Sequence, residues 1–335
     1  PRLMHMGGSS ASPTHYFRIN FRDDGSGALQ QYHEANGGGF QLTTNRVFRD
    51  ESAWYHIVVA VNSAATEEID RQKIYVNGVQ ETSMSSSTAM SYNADLGFND
   101  SGDVIYLFRK QQDSDHFPGY ACEVAFIDGQ QLTPTSFGEF NADSPTIWQP
   151  IDFKDDVTFG TNGFYLEFKD SSNLGDDTSG NGNDLNYNFG AVNQSTDTCT
   201  NNFATLNPLD VATSGTSTFA EGNLKMTTDK QSRTTFGASS GKWYVEAKYV
   251  NNTAANGIAQ MDGSNTFNTN SIVLFGSSNG TISVSGSDTD TNVGAGTAIA
   301  DNSIIMFAMD LDNNRLYLGK NGSWWTDGSG FVSSD

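Results

Sequence analysis

The sequence predicts an all-β protein made of two tandem antiparallel β-sandwich modules with an ordered connector between them. Three observations predict it. The segment Trp54-Tyr55-His56-Ile57-Val58-Val59-Ala60-Val61 runs through a polar loop into Lys73-Ile74-Tyr75-Val76-Asn77-Gly78. Far downstream, Ile304-Ile305-Met306-Phe307-Ala308-Met309-Asp310 runs into Arg315-Leu316-Tyr317-Leu318-Gly319-Lys320-Asn321-Gly322. Each is an apolar strand, a polar turn, a second strand carrying a tyrosine, and an Asn-Gly pair. Asn and Gly tolerate the positive φ of a tight hairpin turn. The third observation is composition: 34 glycines, 7 prolines, and Ser/Thr/Asn/Asp clusters between short apolar runs. That texture belongs to many short strands and turns, and no long amphipathic helix is visible.

The first module spans residues 1–150. Tyr16 to Phe21 alternates and stops at the turn cluster Asp23-Asp24-Gly25-Ser26-Gly27. Leu29–Tyr32 and Phe40–Leu42 flank the glycines Gly37, Gly38 and Gly39. In Trp54 to Val61, Tyr55, Ile57, Val59 and Val61 share one face, and Trp54, His56, Val58 and Ala60 the other. Both faces are mostly apolar, so this strand is expected inside a sheet covered on both sides. Asp103 to Phe108 is a further short strand, as is Gly119 to Asp128, which Glu123 interrupts. Leu132 to Phe140 is expected to form a short helix capped by Thr133, with Pro134 at its first position.

Residues 151–206 form the Asp/Asn/Gly-rich connector. Gly163 to Phe168 is strand-like, and its aromatics call for burial, which favours a packed hairpin over a flexible tether. The second module spans 207–335. Trp243 to Val250 alternates, with Trp243, Val245, Ala247 and Tyr249 on one face. Ser271–Phe275, Thr281–Val284, Ile304–Asp310 and Arg315–Leu318 follow as strands. The chain opens on Pro1-Arg2-Leu3 and stops soon after a strand pair that expects more strands. It reads as a piece of a longer polypeptide whose second module is incomplete at its C-terminus.

The formal charge is −21, from 39 acidic and 18 basic residues. Nucleic-acid binding needs a positive footprint, so that class is excluded. The acidity serves solubility in a salty medium, or some of its clusters hold calcium. No apolar run approaches the roughly 18 residues of a membrane span. The two cysteines, Cys122 and Cys199, are too far apart in sequence for spacing to suggest a bond, and their pairing stays open. Cys122 reads as a small buried hydrophobe.

Trp54-Tyr55-His56-Ile57-Val58-Val59, Ile74-Tyr75-Val76-Asn77-Gly78-Val79 and Gly119-Tyr120-Ala121-Cys122-Glu123-Val124-Ala125-Phe126 before Leu132-Thr133-Pro134 resemble the laminin-G-like branch of the concanavalin A-like jelly rolls. That family often has an acidic pair where this chain has Cys122-Glu123. Gly241-Lys242-Trp243-Tyr244-Val245-Glu246, Asp310 to Tyr317 and Lys320-Asn321-Gly322-Ser323-Trp324 resemble SPRY domains. Asn162 to Leu166, Ser179-Gly180-Asn181-Gly182-Asn183-Asp184 and Asn201 to Leu209, with both modules in one chain, resemble tail-fibre or appendage proteins of marine bacteriophages.

The strongest chemical candidate is the acidic stretch Asp170, Asp176, Asp177, Asn181, Asn183 and Asp184, oxygen donors at short spacing for calcium. It lacks the Glu of an EF-hand loop, and a solvated turn cluster capping its own backbone is the alternative. Calcium is the only cofactor for which the sequence offers a place. Trp324, Trp325, Tyr92 and Trp148 lie near turns and could stack on sugar rings, with core or interface burial as the alternative. Asn99, Asp100 and Asp103 offer a carbohydrate or calcium loop. Glu67-Glu68-Ile69-Asp70 invites comparison with jelly-roll glucanases, but the second glutamate of their strand motif is missing. With no Gly-x-Ser-x-Gly elbow a hydrolase triad has no support either, and His56 reads as a packed strand residue. No catalytic residue is assigned.

The resemblance implies a non-enzymatic virion protein, assembled in the host cytoplasm. It would bind a host-surface glycan or protein through sandwich loops by multivalent weak contacts. Its partners would be other virion proteins and copies of itself as a homo-oligomer, with no nucleic acid and no membrane span. A purely structural decoration or fibre-shaft role, and a non-catalytic part of a polysaccharide-degrading appendage, are the alternatives.

Overall fold

A computed structural model describes residues 1–8, 15–34, 39–50, 53–94, 96, 102–111, 115–142, 145–186, 194–195, 198–200, 204–211, 218–227, 232–250, 256–259, 271–275, 281–284, 291–295, 300–326 and 330–333. The chain divides into two compact units, Pro1–Phe203 and Ala204–Asp335. Among the described residues the regular elements are β-strands, apart from single 3-10 turns at Glu68–Asp70 and Pro134–Ser136. None is a helix long and apolar enough to cross a membrane.

In the first unit the strands are β1 (Arg2–Gly8), β2 (Tyr16–Phe21), β3 (Ala28–Glu34), β4 (Phe40–Val47), β5 (Ile57–Val61), β6 (Gln72–Val76), β7 (Val79–Gln80), β8 (Met84–Thr88), β9 (Asp103–Leu107), β10 (Val124–Phe126), β11 (Gly138–Phe140), β12 (Trp148–Pro150) and β13 (Phe164–Leu166). Six of them form one antiparallel sheet in the order β8-β4-β3-β2-β1-β9. Opposite lie the sheet β5-β6-β7 and the pair β10-β13. The alternate residues Met4, Met6, Phe17, Phe40, Phe164 and Leu166 close one core cluster. Leu29, Leu42, Ile74 and Val76 close another. This is a β-sandwich in which period-two alternation sends one face of each strand inward. The strand β13 lies in the stretch read as connector. It pairs with β10, and its Tyr165 turns away from the main core into a third cluster with Phe153 and Phe159.

The second unit contains β14 (Leu206–Val211), β15 (Phe219–Ala220), β16 (Lys225–Met226), β17 (Ser232–Thr234), β18 (Lys242–Lys248), β19 (Asn256–Ala259), β20 (Ser271–Phe275), β21 (Thr281–Val284), β22 (Thr291–Ala295), β23 (Ile304–Asp310), β24 (Arg315–Lys320), β25 (Ser323–Thr326) and β26 (Gly330–Ser333). They build a five-stranded sheet β18-β23-β24-β25-β26, a four-stranded sheet β19-β20-β21-β22 and two short pairs. Tyr249, Ile305, Phe307 and Leu318 form its core, with Val245 and Ile258 against it.

The two Asn-Gly turns do the same work. Asn77 sits at φ 49° and Gly78 at 80°; Asn321 sits at 49° and Gly322 at 81°. The Asn77 side-chain oxygen accepts the His56 amide at 2.8 Å, and the Asn77 amide donates to the His56 carbonyl at 2.9 Å. Asn321 makes the same pair of bonds with Ile304, at 2.7 and 2.9 Å. Each asparagine therefore turns the chain and also holds the first strand of its hairpin. Two local expectations are corrected. The strand expected from Trp54 starts at Ile57, because the His56 amide is taken by the Asn77 side chain. The helix expected over Leu132–Phe140 is one 3-10 turn: the Thr133 hydroxyl bonds Thr135 rather than capping, and Gly138 begins β11.

Candidate functional site

Since the apolar half of each strand points into the core, the other half of the six-stranded sheet forms an outer face of unusual content. Met4 and Met6 go inward from β1, which leaves His5 outward; Phe17 and Ile19 go inward from β2, which leaves Tyr16, Arg18 and Asn20. By the same alternation β3 presents Gln30 and Tyr32, β4 Gln41 and Thr43, and β9 Tyr106. The register aligns Tyr106, His5, Arg18, Tyr32 and Gln41 in one row across five strands. The rings of His5 and Tyr16 are 5.5 Å apart, those of His5 and Tyr106 6.3 Å, and those of Tyr16 and Tyr32 5.9 Å. The Arg18 guanidinium lies 4.4 Å from the Tyr32 ring centre, and that of Arg109 4.9 Å from the Tyr106 ring centre. Gln30 links the strands: its carbonyl accepts from Arg18 at 3.3 Å and its amide donates to Thr43 at 3.0 Å.

The face gathers cations in an acidic protein. Arg2 pairs with Asp115 at 3.3 Å and reaches His5 Nδ1 at 3.2 Å. Burial, then the charges of Arg2, Lys110 and Arg18, push the His5 imidazole down to about 4. It is therefore neutral at pH 7, and its Nδ1 can accept the hydrogen bond that the Arg2 guanidinium donates. Tyr32 donates its hydroxyl to Glu34, and that bond, with burial, pushes the phenol up to about 12. Arg18 differs from its neighbours. Among the described residues it makes no ion pair, and its buried Nε has no hydrogen-bond partner; the Asn20 Oδ1 beside it on β2 is likewise buried and unpartnered. Buried polar atoms left in this way are rare in folded proteins.

The residues chosen from sequence lie elsewhere. Trp148 is packed: its Nε1 donates to His56 Nδ1 at 3.0 Å, and its ring covers Gly78 so closely that a Cβ there would stand 2.2 Å from it. Burial alone pushes His56 down to about 4, which keeps it the acceptor for this bond. Tyr92 is exposed, with the Arg71 guanidinium 5.5 Å from its ring. Trp324 meets Tyr244 edge-on at 6.3 Å on the second unit's five-stranded sheet. Trp325 lies on β25, its side chain outside the described residues, as are Asn99 and Asp100. Asp103 opens β9 on the side of Ile105 and Leu107, which pack into the core.

The acidic stretch is a self-satisfied loop. Asp177 is buried, and its two oxygens accept the amides of Tyr165, Ser179 and Asn183 and the Ser179 hydroxyl. Burial alone would raise its pKa, but these donors outweigh it and hold the carboxyl below its usual range. Asn181 and Asn183 point their amide nitrogens at the carbonyls of Gly160, Thr161 and Gly163. Asp184 accepts the Asp177 amide, Asp170 accepts from Ser172, and Asp176 stays exposed. Among the described residues, no three carboxylates of this stretch come within 4.8 Å of one another. The cluster that does gather is Cys122, Glu123 and Cys199. Sequence reasoning missed the outer face, although its signal was present. Three successive strands place long polar or aromatic side chains at every second position, where a purely solvated face would carry short or charged ones.

Residues 2–136 match the family model of the concanavalin A-like lectin/glucanases superfamily. No curated protein and no solved structure matches the chain. The whole outer face, from Arg2 to Asp115, thus lies within the segment that is similar to that superfamily.

Proposed function

We propose that this protein is a non-enzymatic virion fibre or appendage component whose first unit binds acidic saccharides of the host surface on the outer face of its six-stranded sheet. Arg18 carries the reading. It is a half-buried cation without an ion pair among the described residues, its Nε lacks an acceptor, and it lies over Tyr32 in a chain with a formal charge of −21. A carboxylate or sulfate group on a sugar would supply the counter-charge that the Arg18 guanidinium does not find among the described residues. The rings of Tyr16, Tyr32 and Tyr106 offer faces on which a pyranose can stack. A lectin-like sandwich over residues 2–136 supports carbohydrate or protein binding. The resemblance of the second module to SPRY domains, and of the whole arrangement to marine phage appendages, supports the virion setting. There many copies would raise a weak affinity.

Binding without catalysis fits the carboxylates of the face. Glycoside hydrolysis needs two carboxyl groups across the scissile bond. Here Glu34 is engaged by Tyr32 and Asp115 by Arg2. In the Glu67–Asp70 segment, Asp70 pairs with Lys73 at 2.7 Å. The test is a glycan array probed with multivalent wild-type protein and its Arg18→Met and Tyr32→Ala variants. Uronate- or sulfate-bearing glycans should be retained over neutral ones, with retention falling as salt rises. Arg18→Met should weaken binding about tenfold or more, a loss of roughly 1.4 kcal/mol or more. Retention of no glycan at high multivalency, or equal binding by Arg18→Met, would sink the proposal.

A further inference from the structure

We infer that Cys122 and Cys199 form an intrachain disulfide that clasps the end of the first unit onto its β10-β13 sheet. The two sulfurs lie 2.8 Å apart across 77 residues of chain, closer than unbonded sulfurs rest. The Cys199 amide points at the Cys122 sulfur at 3.5 Å, so the backbone around residue 199 is already turned toward its partner. Both cysteines are half-buried, and Cys122 stands two residues before β10. Glu123, at φ 53°, brings its carboxylate within 4.8 Å of both sulfurs.

The oxidation balances with a small-molecule disulfide as oxidant. One cysteine, as its thiolate, attacks the oxidant, forms a mixed disulfide and expels one small thiolate. The second cysteine then attacks the mixed disulfide and expels the other. Two protein thiols and one small disulfide become one protein disulfide and two small thiols, which take up the two protons. The contact with Cys122, burial and the Glu123 carboxylate all push the Cys199 thiol well above its usual range. A thiol held protonated is a slow attacker, and as a thiolate it is a poor leaving group, so the bond should form slowly and then resist reduction. A metal would need both sulfurs as thiolates and farther apart, at the spacing set by bonds of about 2.3 Å to one ion.

The full chain, purified without reductant and incubated with oxidised glutathione, tests the inference. Expected are no titratable thiols after denaturation, a mass lower by two hydrogens, and a linked peptide pair joining Cys122 to Cys199. Reduction should lower the melting temperature of the first unit by roughly 5–10 °C. Cys122→Ser and Cys199→Ser should each show the same lowering and no further response to reductant. If the variants fail to fold, reduction of the wild-type chain reads the same quantity. Two thiols that stay titratable after the oxidant, a link found only between chains, or stoichiometric zinc released from a chain with both thiols reduced would each overturn it.

Discussion

At the scale of single residues, two asparagines and two histidines carry more than their position suggests. Asn77 and Asn321 each supply a positive φ and an acceptor for the amide that precedes or opens a strand. Replacing either by glycine keeps the turn and removes the acceptor, which separates the two roles. Asn77→Gly should cost about 1 kcal/mol, and Asn321→Gly less because its bond is exposed. Asn77→Ala should cost about 1 kcal/mol more than Asn77→Gly, since alanine resists this backbone region. Urea midpoints check the order. His5 and His56 are both held down to about 4 from an ordinary 6.5. Between these values the unfolded chain binds protons that the folded chain refuses. Stability is therefore full above pH 6.5 and falls as the pH drops toward 4, by up to about 1.4 kcal/mol per pH unit for each histidine. His56→Gln should remove its share of that slope between pH 6.5 and 4.5. An unchanged slope would mean that His56 does not stay neutral beneath Trp148.

At the scale of elements, the loop from Asp177 to Asp184 holds β13 by hydrogen bonds. Asp177→Ala strands the amides of Tyr165, Ser179 and Asn183 and should cost about 2–4 kcal/mol. Adding a calcium chelator to the wild-type chain should leave the melting temperature where it was; a fall of several degrees would show that the loop holds calcium. What could be read from sequence followed the range of each interaction. The hairpins β5-β6-β7 and β23-β24-β25 were legible because turn, register and alternation are local. The start of β5 at Ile57 was not, because it depends on a side chain 21 residues away. The acidic loop left two readings open for a related reason: composition counts carboxylates but cannot tell which, like Asp177, are spent on backbone amides. The row Tyr106-His5-Arg18-Tyr32-Gln41 comes from five strands, and the order that brings them together appears in no single segment.

At the scale of the whole molecule, the division into Pro1–Phe203 and Ala204–Asp335 predicts two calorimetric transitions. If the inferred disulfide is present, a reductant should move only the transition that belongs to the first unit, while Asn321→Gly should move only the other. A single transition that both treatments shift together would show that the units unfold as one. The sheet order has a consequence of another kind. The strand β1 is paired on both sides, by β2 and by β9, with Met4 opposite Leu107. A chain emerging from the ribosome makes β2, β3 and β4 early, yet one edge of β1 waits for residues about a hundred positions later. Closing so long a loop is slow, and an unpaired strand edge is adhesive in the meantime. The first unit should therefore acquire its sheet late in synthesis, and crowding many nascent copies together should favour wrong pairings at β1 before β9 arrives.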